Sequence, residues 1–195
     1  MRVFVGALAV VLLAGCNDQA KAPEGLTKAT QAALDLPVAN NSPDATVKSW
    51  WAAKDAAMRI DSQICFEYNR MQSPVTEKLK KISTSEIPTS KDCDGEVFIF
   101  DRNITKVEVE SETRAVVKAI IKNITPPDAG AVLDESDSKA KSEGEPFRYT
   151  LERKDSSSGW QISRVDRFPS YGRDWERVFE KPQPSTNRFV YEQYQ

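Results

Sequence analysis

Three cysteines give this 195-residue chain its most distinctive chemistry, since a thiol can be acylated, oxidised or bound to a metal. Cys16 follows Leu13-Ala14-Gly15, at the end of an apolar run of about 12 residues that begins after Arg2. A charged residue, a short apolar segment and small residues before a cleavage point are the layout of a secretory signal. Because a membrane-spanning helix needs roughly 20 apolar residues, the pattern predicts that residues 1–15 are a signal peptide and not a transmembrane anchor.

The sequence Leu13-Ala14-Gly15-Cys16 resembles the lipobox of bacterial lipoproteins. The resemblance implies that the Cys16 sulfur is diacylated, that the signal is cut just before it, and that the new amino group is acylated as well. Two or three acyl chains anchor a protein stably, whereas one chain alone is marginal. Asn17 stands where an aspartate would favour the inner membrane. The resemblance therefore implies a periplasm-facing protein of the bacterial cell envelope, with the outer membrane favoured over the inner membrane.

The other two cysteines, Cys65 and Cys93, are an even pair in a compartment that favours disulfides. A bridge between them would close a loop of about 29 residues, worth roughly 3.6 kcal/mol in the chain-entropy account. A redox pair and a metal site are the alternatives. The chain has no C-x-x-C motif and no histidine, so a zinc site would need carboxylates to complete its ligands. We therefore predict a structural disulfide, with no metal and no cofactor.

The charge balance argues against nucleic acid and anionic headgroups as partners. The formal net charge is −2, and loss of Arg2 with the signal peptide makes the mature chain slightly more acidic. Polyanions require clustered lysine and arginine. About 180 mature residues suit one domain. The composition thus predicts one domain that is attached to the membrane through lipid and not through charge.

The segment 16–41 is predicted to be an acylated tether, because it is polar and rich in alanine. About 25 flexible residues span roughly 25 to 30 Å. Helical spacing of four apolar residues favours a short helix that Pro37 ends, namely Leu26, Ala29, Ala33 and Leu36.

A folded domain is predicted over 42–180, beginning with two helices. Ser42 suits the N-cap and Pro43 the first helical position. The long helix that follows has one apolar arc: Val47, Trp50, Trp51, Ala57, Met58, Ile64, Cys65 and Tyr68. We interpret Trp50 and Trp51 as core residues, with a ligand platform as the alternative. A second, shorter helix is predicted after Ser73-Pro74 on the stripe Val75, Leu79 and Ile82.

After Glu96 the pattern becomes extended. Residues 97–100 are apolar on both faces, which predicts a covered strand, and Asp101-Arg102-Asn103 is interpreted as a turn. Further strands are predicted at 104–110, 115–121 and 147–151 and from Trp160 onward. The polar stretch 128–145 resembles a mobile loop or hairpin extension. Short connections indicate antiparallel pairing, so the fold class is α+β.

Helices followed by antiparallel strands resemble the NTF2-like superfamily, especially its small bacterial lipoprotein members. The matching stretches are 44–53 (DATVKSWWAA), 147–151 (FRYTL) and 159–165 (GWQISRV). They are packing signatures and contain no catalytic motif, so they bear on fold more than on activity. The resemblance implies a cone, in which a long and a short helix pack on a curved antiparallel sheet and a pocket lies between them.

Some members of this superfamily are pocket enzymes, including ketosteroid isomerase and scytalone dehydratase. An isomerase needs an aspartate base and an acidic donor aimed at one carbonyl, and dehydratase-type members also use histidine. Asp101 and Tyr149 are the residues that an isomerase would use here, but we assign Asp101 to the turn and Tyr149 to the core. The first hypothesis is therefore a non-enzymatic module that binds a protein partner or a small ligand. A pocket enzyme and a structural subunit of an envelope complex are the alternatives.

The C-terminal segment combines aromatic residues with arginine, a composition enriched at protein interfaces. Residues 174–180 are predicted to form a short helix that closes the cone. The tail 181–195 is predicted to dock on its own sheet edge, on a second copy in a homodimer, or on another envelope protein by strand addition. The candidate binding residues of this segment are Trp175, Phe179, Phe189, Tyr191 and Tyr194.

Overall fold

Helices and an antiparallel sheet make up the computed structural model, which describes residues 24–64, 74–87 and 97–179. Their order is α1 (Glu24–Asp35), α2 (Pro43–Ile64), α3 (Thr76–Ile82), β1 (Phe100–Ser111), β2 (Arg114–Asn123), α4 (Glu135–Glu143), β3 (Glu145–Glu152), β4 (Gln161–Arg167) and β5 (Glu176–Arg177). The strands lie in the order β1-β2-β3-β4-β5, and each pairs with the next in antiparallel fashion. The predicted α+β class with antiparallel pairing is confirmed.

The start of α2 follows the predicted capping pattern. Pro43 is the first helical residue, and the Ser42 hydroxyl accepts a hydrogen bond from the Ala45 N–H at 3.4 Å. Trp50 and Trp51 are buried in the core, with 3% and 9% of their surfaces exposed. Their assignment to the core is confirmed, because the arc that carries them is the side of α2 that packs on the sheet.

Residues 24–35, assigned to the tether from the sequence, form α1. The predicted short helix is confirmed, and it ends before Pro37. Leu26 and Ala33 are buried, and α1 packs on α2. The Lys78 ammonium group of α3 donates hydrogen bonds to the carbonyls of Leu34 and Leu36, so a cation stabilises the negative end of α1. The packed unit therefore includes residues that precede Ser42.

The first strand differs from its prediction. Val97 and Ile99 precede β1 and are 43% and 53% exposed, so the prediction of a covered strand at 97–100 is wrong. The segment Asp101-Arg102-Asn103 is also not a turn, since it pairs with β2 inside β1. Arg102 forms a bidentate ion pair with Asp55 of α2, both hydrogen bonds measuring 2.7 Å. This ion pair satisfies a polar residue on the helix side of the strand, and propensity alone gives no sign of it.

The stretch predicted as a loop at 128–145 contains α4. Asp134 caps this helix, because its carboxylate accepts a hydrogen bond from the Asp137 N–H at 2.7 Å. None of the residues of α4 is buried, which explains why its composition resembles that of a loop. The helix ends at Gly144, where φ is +82° and a Cβ atom would lie 2.7 Å from the Ile120 side chain. Glycine is therefore required at that point.

The helix predicted at 174–180 is wrong. Glu176 and Arg177 form β5, which pairs with β4, and the Val178 N–H extends the pairing by donating to the Val165 carbonyl at 2.9 Å. Trp175 and Phe179 are four residues apart, as on one face of a helix, but here they lie in an extended segment. Tertiary pairing with β4 overrides the local pattern.

Several predicted residues lie outside the described ranges: Cys16, Cys65, Cys93, Phe189, Tyr191 and Tyr194. Lipidation, the disulfide and the role of the tail therefore stay predictions. Within residues 24–64, 74–87 and 97–179, no helix has the length and apolar character that crossing a membrane requires.

Candidate functional site

The strand register gives the sheet two faces of different chemistry, because directly opposed residues point to the same side. The core face packs against α2 and is apolar; it carries Ala115, Val117, Ala119, Tyr149 and Leu151. On the opposite side, which we call the outer face, Lys118 opposes Arg148, and Arg148 opposes Asp166. Charged groups of β2, β3 and β4 thus share one surface.

An open cavity of about 340 Å³ lies on the outer face. Its lining is contributed by β1 to β4 and consists of Glu108, Glu110, Arg114, Val116, Lys118, Arg148, Thr150, Arg164 and Asp166. Four of these side chains are basic and three are acidic, which leaves one positive charge in excess. The volume lies within the range of small-molecule pockets, roughly 300 to 1,000 Å³.

A buried carboxylate organises the centre of this cavity. Asp166 is 1% exposed. One of its oxygens accepts a hydrogen bond from Arg164 Nε at 2.7 Å, and the other accepts from Arg148 Nε and Nη2 at 3.2 and 3.1 Å. A buried carboxylate requires such partners. We call these three residues the Arg-Asp-Arg cluster; in it, one acid holds two guanidinium groups side by side.

Trp175 of the C-terminal segment packs against this cluster. The Trp175 ring lies 4.6 Å from the centre of the Arg148 guanidinium group, and it meets Phe168 edge-on at 5.7 Å. Stacking on an aromatic ring is a common way to orient arginine. Phe179, by contrast, packs edge-on against Trp50 of the core at 6.1 Å. Of the two described candidate binding residues, only Trp175 thus contacts the cluster.

The remaining acids of the cavity are held by basic neighbours. Glu108 lies 3.0 Å from the Lys118 ammonium group and also pairs with Lys106. Hydrogen bonds from Lys106 and Lys118 hold the pKa of the Glu108 carboxyl below its usual value. Arg114 pairs with Glu110 at 2.8 Å and also with the nearby Glu152. The excess positive charge is therefore located at the Arg-Asp-Arg cluster, where two cations share one acid.

The helix side of the sheet contains a separate polar contact. Trp51 Nε1 donates a hydrogen bond to the Tyr149 hydroxyl at 2.8 Å. Burial raises the pKa of Tyr149 to about 12, although the Trp51 hydrogen bond and the Arg102 charge lower it. This tyrosine lies in the core, as predicted.

Asp101 and Tyr149, the residues that an isomerase would use, are not brought together. Asp101 is exposed and opposes Lys122, so it lies on the outer face. Tyr149 opposes Val117 on the core face. Because one side chain lies on each side of the sheet, the two cannot act on a single carbonyl.

Sequence reasoning missed the three residues of the Arg-Asp-Arg cluster. The sequence places Arg148 among the polar alternates of its strand, and Arg164 and Asp166 among the charges that interleave with the C-terminal aromatic residues; it marks none of the three as a binding residue. One signal was present, since each strand carries a polar pair two residues apart: Arg148 with Thr150, and Arg164 with Asp166. Residues two apart share a face of a strand, but the pairing of β3 with β4 is needed to bring the two pairs together.

The chemistry available at the outer face is that of arranged charges and hydrogen-bond donors. Among the residues that the structure describes, no group of three histidine, cysteine, aspartate or glutamate side chains is placed to hold a metal ion. The guanidinium groups can instead bind an acceptor that carries negative charge. A scan of protein-family models, a search of curated proteins and a search of solved structures found no match to this chain.

Proposed function

We propose that this protein is a lipid-anchored, non-enzymatic binding module of the bacterial cell envelope. In this proposal acylated Cys16 holds it at the membrane, facing the periplasm, with the outer membrane favoured. The lipobox-like sequence before Cys16 supports the anchor. The observation that carries the binding function is the Arg-Asp-Arg cluster, in which a buried carboxylate orients two partly exposed guanidinium groups in an open cavity.

We also propose that residues 42–180 form an NTF2-like domain. A long helix, α2, lies along the core face of the antiparallel sheet, and the shorter α3 contacts both α2 and β4. These layers agree with the architecture that the resemblance implies. The helix α1 adds an N-terminal element to this arrangement.

Two features favour binding over catalysis. The charged groups of the cavity are engaged in ion pairs: Glu108 with Lys118, Glu110 with Arg114, and Asp166 with two arginines. A general base must have a lone pair within reach of a substrate proton, whereas these carboxylates accept hydrogen bonds from cations. Asp101 and Tyr149, moreover, lie on opposite faces of the sheet.

Replacement of the acylated cysteine tests the anchor. Cys16→Ala removes the sulfur that would carry lipid, so we expect the protein to leave the membrane fraction and the detergent phase, and to lose labelled palmitate. Lys21→Ala is the matched control, because it changes a nearby residue and keeps Cys16; it should stay in the membrane fraction. Quantitative retention of Cys16→Ala in the membrane would refute the anchor.

A further inference from the structure

We propose that the outer-face cavity binds an oxyanion, carried by a small molecule as a phosphate or carboxylate group, with Arg148 and Arg164 as its recognition residues. This inference rests on the binding function proposed above and is independent of the lipid anchor.

The two guanidinium groups of the Arg-Asp-Arg cluster have N–H donors that Asp166 does not use. A guanidinium group has five N–H donors in a fixed plane. Arg148 uses Nε and Nη2 on Asp166, and Arg164 uses Nε alone. Within the described part of the chain, Arg148 Nη1 and both terminal nitrogens of Arg164 donate no hydrogen bond to the protein. Those edges of the two groups are available to an incoming acceptor.

The donors are oriented before any ligand arrives. Asp166 holds one edge of each guanidinium group by hydrogen bonds, and the Trp175 ring packs against the guanidinium group of Arg148. The side chains of Arg148 and Arg164 nevertheless stay 32% and 49% exposed. A site that is oriented in advance loses less conformational freedom on binding than a pair of mobile surface arginines would.

Charge and size define the class of ligand. The cavity lining carries one positive charge in excess, which a single oxyanion would neutralise. Planar guanidinium forks match the paired oxygens of phosphate and carboxylate. Glu108 and Glu110 line the same cavity and would repel the continuous backbone of a nucleic acid. A small molecule with one compact anionic group is the ligand that these features suit.

The test uses the full acylated protein in non-ionic detergent at low ionic strength. Inorganic phosphate and acetate are titrated separately by calorimetry, so that the two arms distinguish a phosphate from a carboxylate. We expect saturable binding in at least one arm and a loss of about tenfold or more in Arg164→Met, the effect of removing one charged hydrogen bond. Arg59→Met is the matched control, because it removes an equal charge from an exposed position on α2.

Folding of the variants is checked by circular dichroism, and Arg164→Lys provides a second variant that keeps the charge but loses the planar fork. It should bind more weakly than the wild type. The proposal is overturned if neither anion binds saturably, if Arg164→Lys binds as well as wild type, or if Arg59→Met weakens binding as much as Arg164→Met. A Cys16→Ala protein that stays in the membrane fraction and still binds the anion would refute the anchor alone, so the two failures are distinguishable.

Discussion

Replacement of Tyr149 by phenylalanine is predicted to change how the stability of the protein depends on alkaline pH. The hydroxyl of Tyr149 is buried and accepts the Trp51 hydrogen bond. Near neutral pH, Tyr149→Phe leaves a buried indole N–H without its acceptor, which costs about 1 to 3 kcal/mol. The ring itself is retained, so little packing is lost.

The sign of the pH effect follows from the raised pKa. The ordinary tyrosine pKa of 10.0 is raised to about 12 in the folded protein. Between these values the unfolded chain has lost the tyrosine proton while the folded chain keeps it, so the contribution of Tyr149 is fully present below pH 10 and is lost as pH rises through 12. One pKa unit corresponds to about 1.4 kcal/mol. By pH 11 the free energy of unfolding of the wild type has therefore fallen by about that much more than that of Tyr149→Phe.

Urea denaturation of both proteins at pH 8, 9, 10 and 11 measures this difference, since the other titrating groups are common to the two chains. The stability gap between wild type and Tyr149→Phe should narrow by about 1.4 kcal/mol between pH 9 and 11. At pH 11, the rise in tyrosinate absorbance on unfolding should be larger by one tyrosine in the wild type than in Tyr149→Phe. A constant gap across this range would refute the argument that burial holds Tyr149 in its neutral form.

Three further predictions concern the packing of α4, α1 and the C-terminal segment, each measured as the free energy of unfolding. Gly144→Ala should destabilise the protein by at least about 1 kcal/mol more than Gly130→Ala, because both glycines have positive φ but only the first is crowded. Lys78→Met should cost about 1 kcal/mol by removing the cation from the end of α1, whereas the exposed Lys81→Met should change little. Phe179→Ala should cost about 2 kcal/mol, since its partly buried ring packs on the core.

Different outcomes would contradict each of these predictions. Equal losses in the two glycine variants would show that backbone strain alone matters and that the Ile120 contact does not. If Lys78→Met and Lys81→Met were equally stable, the hydrogen bonds to the α1 carbonyls would contribute nothing. A fully stable Phe179→Ala protein would mean that the segment after β4 is held by strand pairing and not by the aromatic contact.

The helices that the sequence predicted well are those whose stabilising features are local. Ser42 and Pro43 mark the start of α2 within two residues, and the apolar arc that contains Trp50 repeats with the helical period. The stripe of α3 was equally readable, and its Leu79 and Ile82 are buried. In each case neighbours in sequence carry the signal, so no distant contact was needed to find it.

The elements that the sequence failed to predict depend on contacts between distant segments. Arg102 is accommodated inside β1 because it forms an ion pair with Asp55. The two residues are 47 positions apart in sequence, but their charged atoms lie 2.7 Å apart. The extended shape of β5 likewise depends on β4. The Arg-Asp-Arg cluster forms only when strand pairing sets Arg148 opposite Asp166. Secondary-structure periodicity predicts which face a residue occupies, but register decides which residues meet there.

The two-residue strand β5 also affects how the sheet ends. Trp175 contacts Arg148 on the outer face and Phe179 contacts Trp50 on the core side, so this segment makes aromatic contacts on both sides of the sheet beside the end of β4. The opposite edge, β1, carries Lys106 and Glu108 and has two register shifts along its pairing with β2. Short edge strands, charges and bulges all discourage the addition of another strand. We therefore expect this sheet to resist edge-to-edge pairing between copies of the protein.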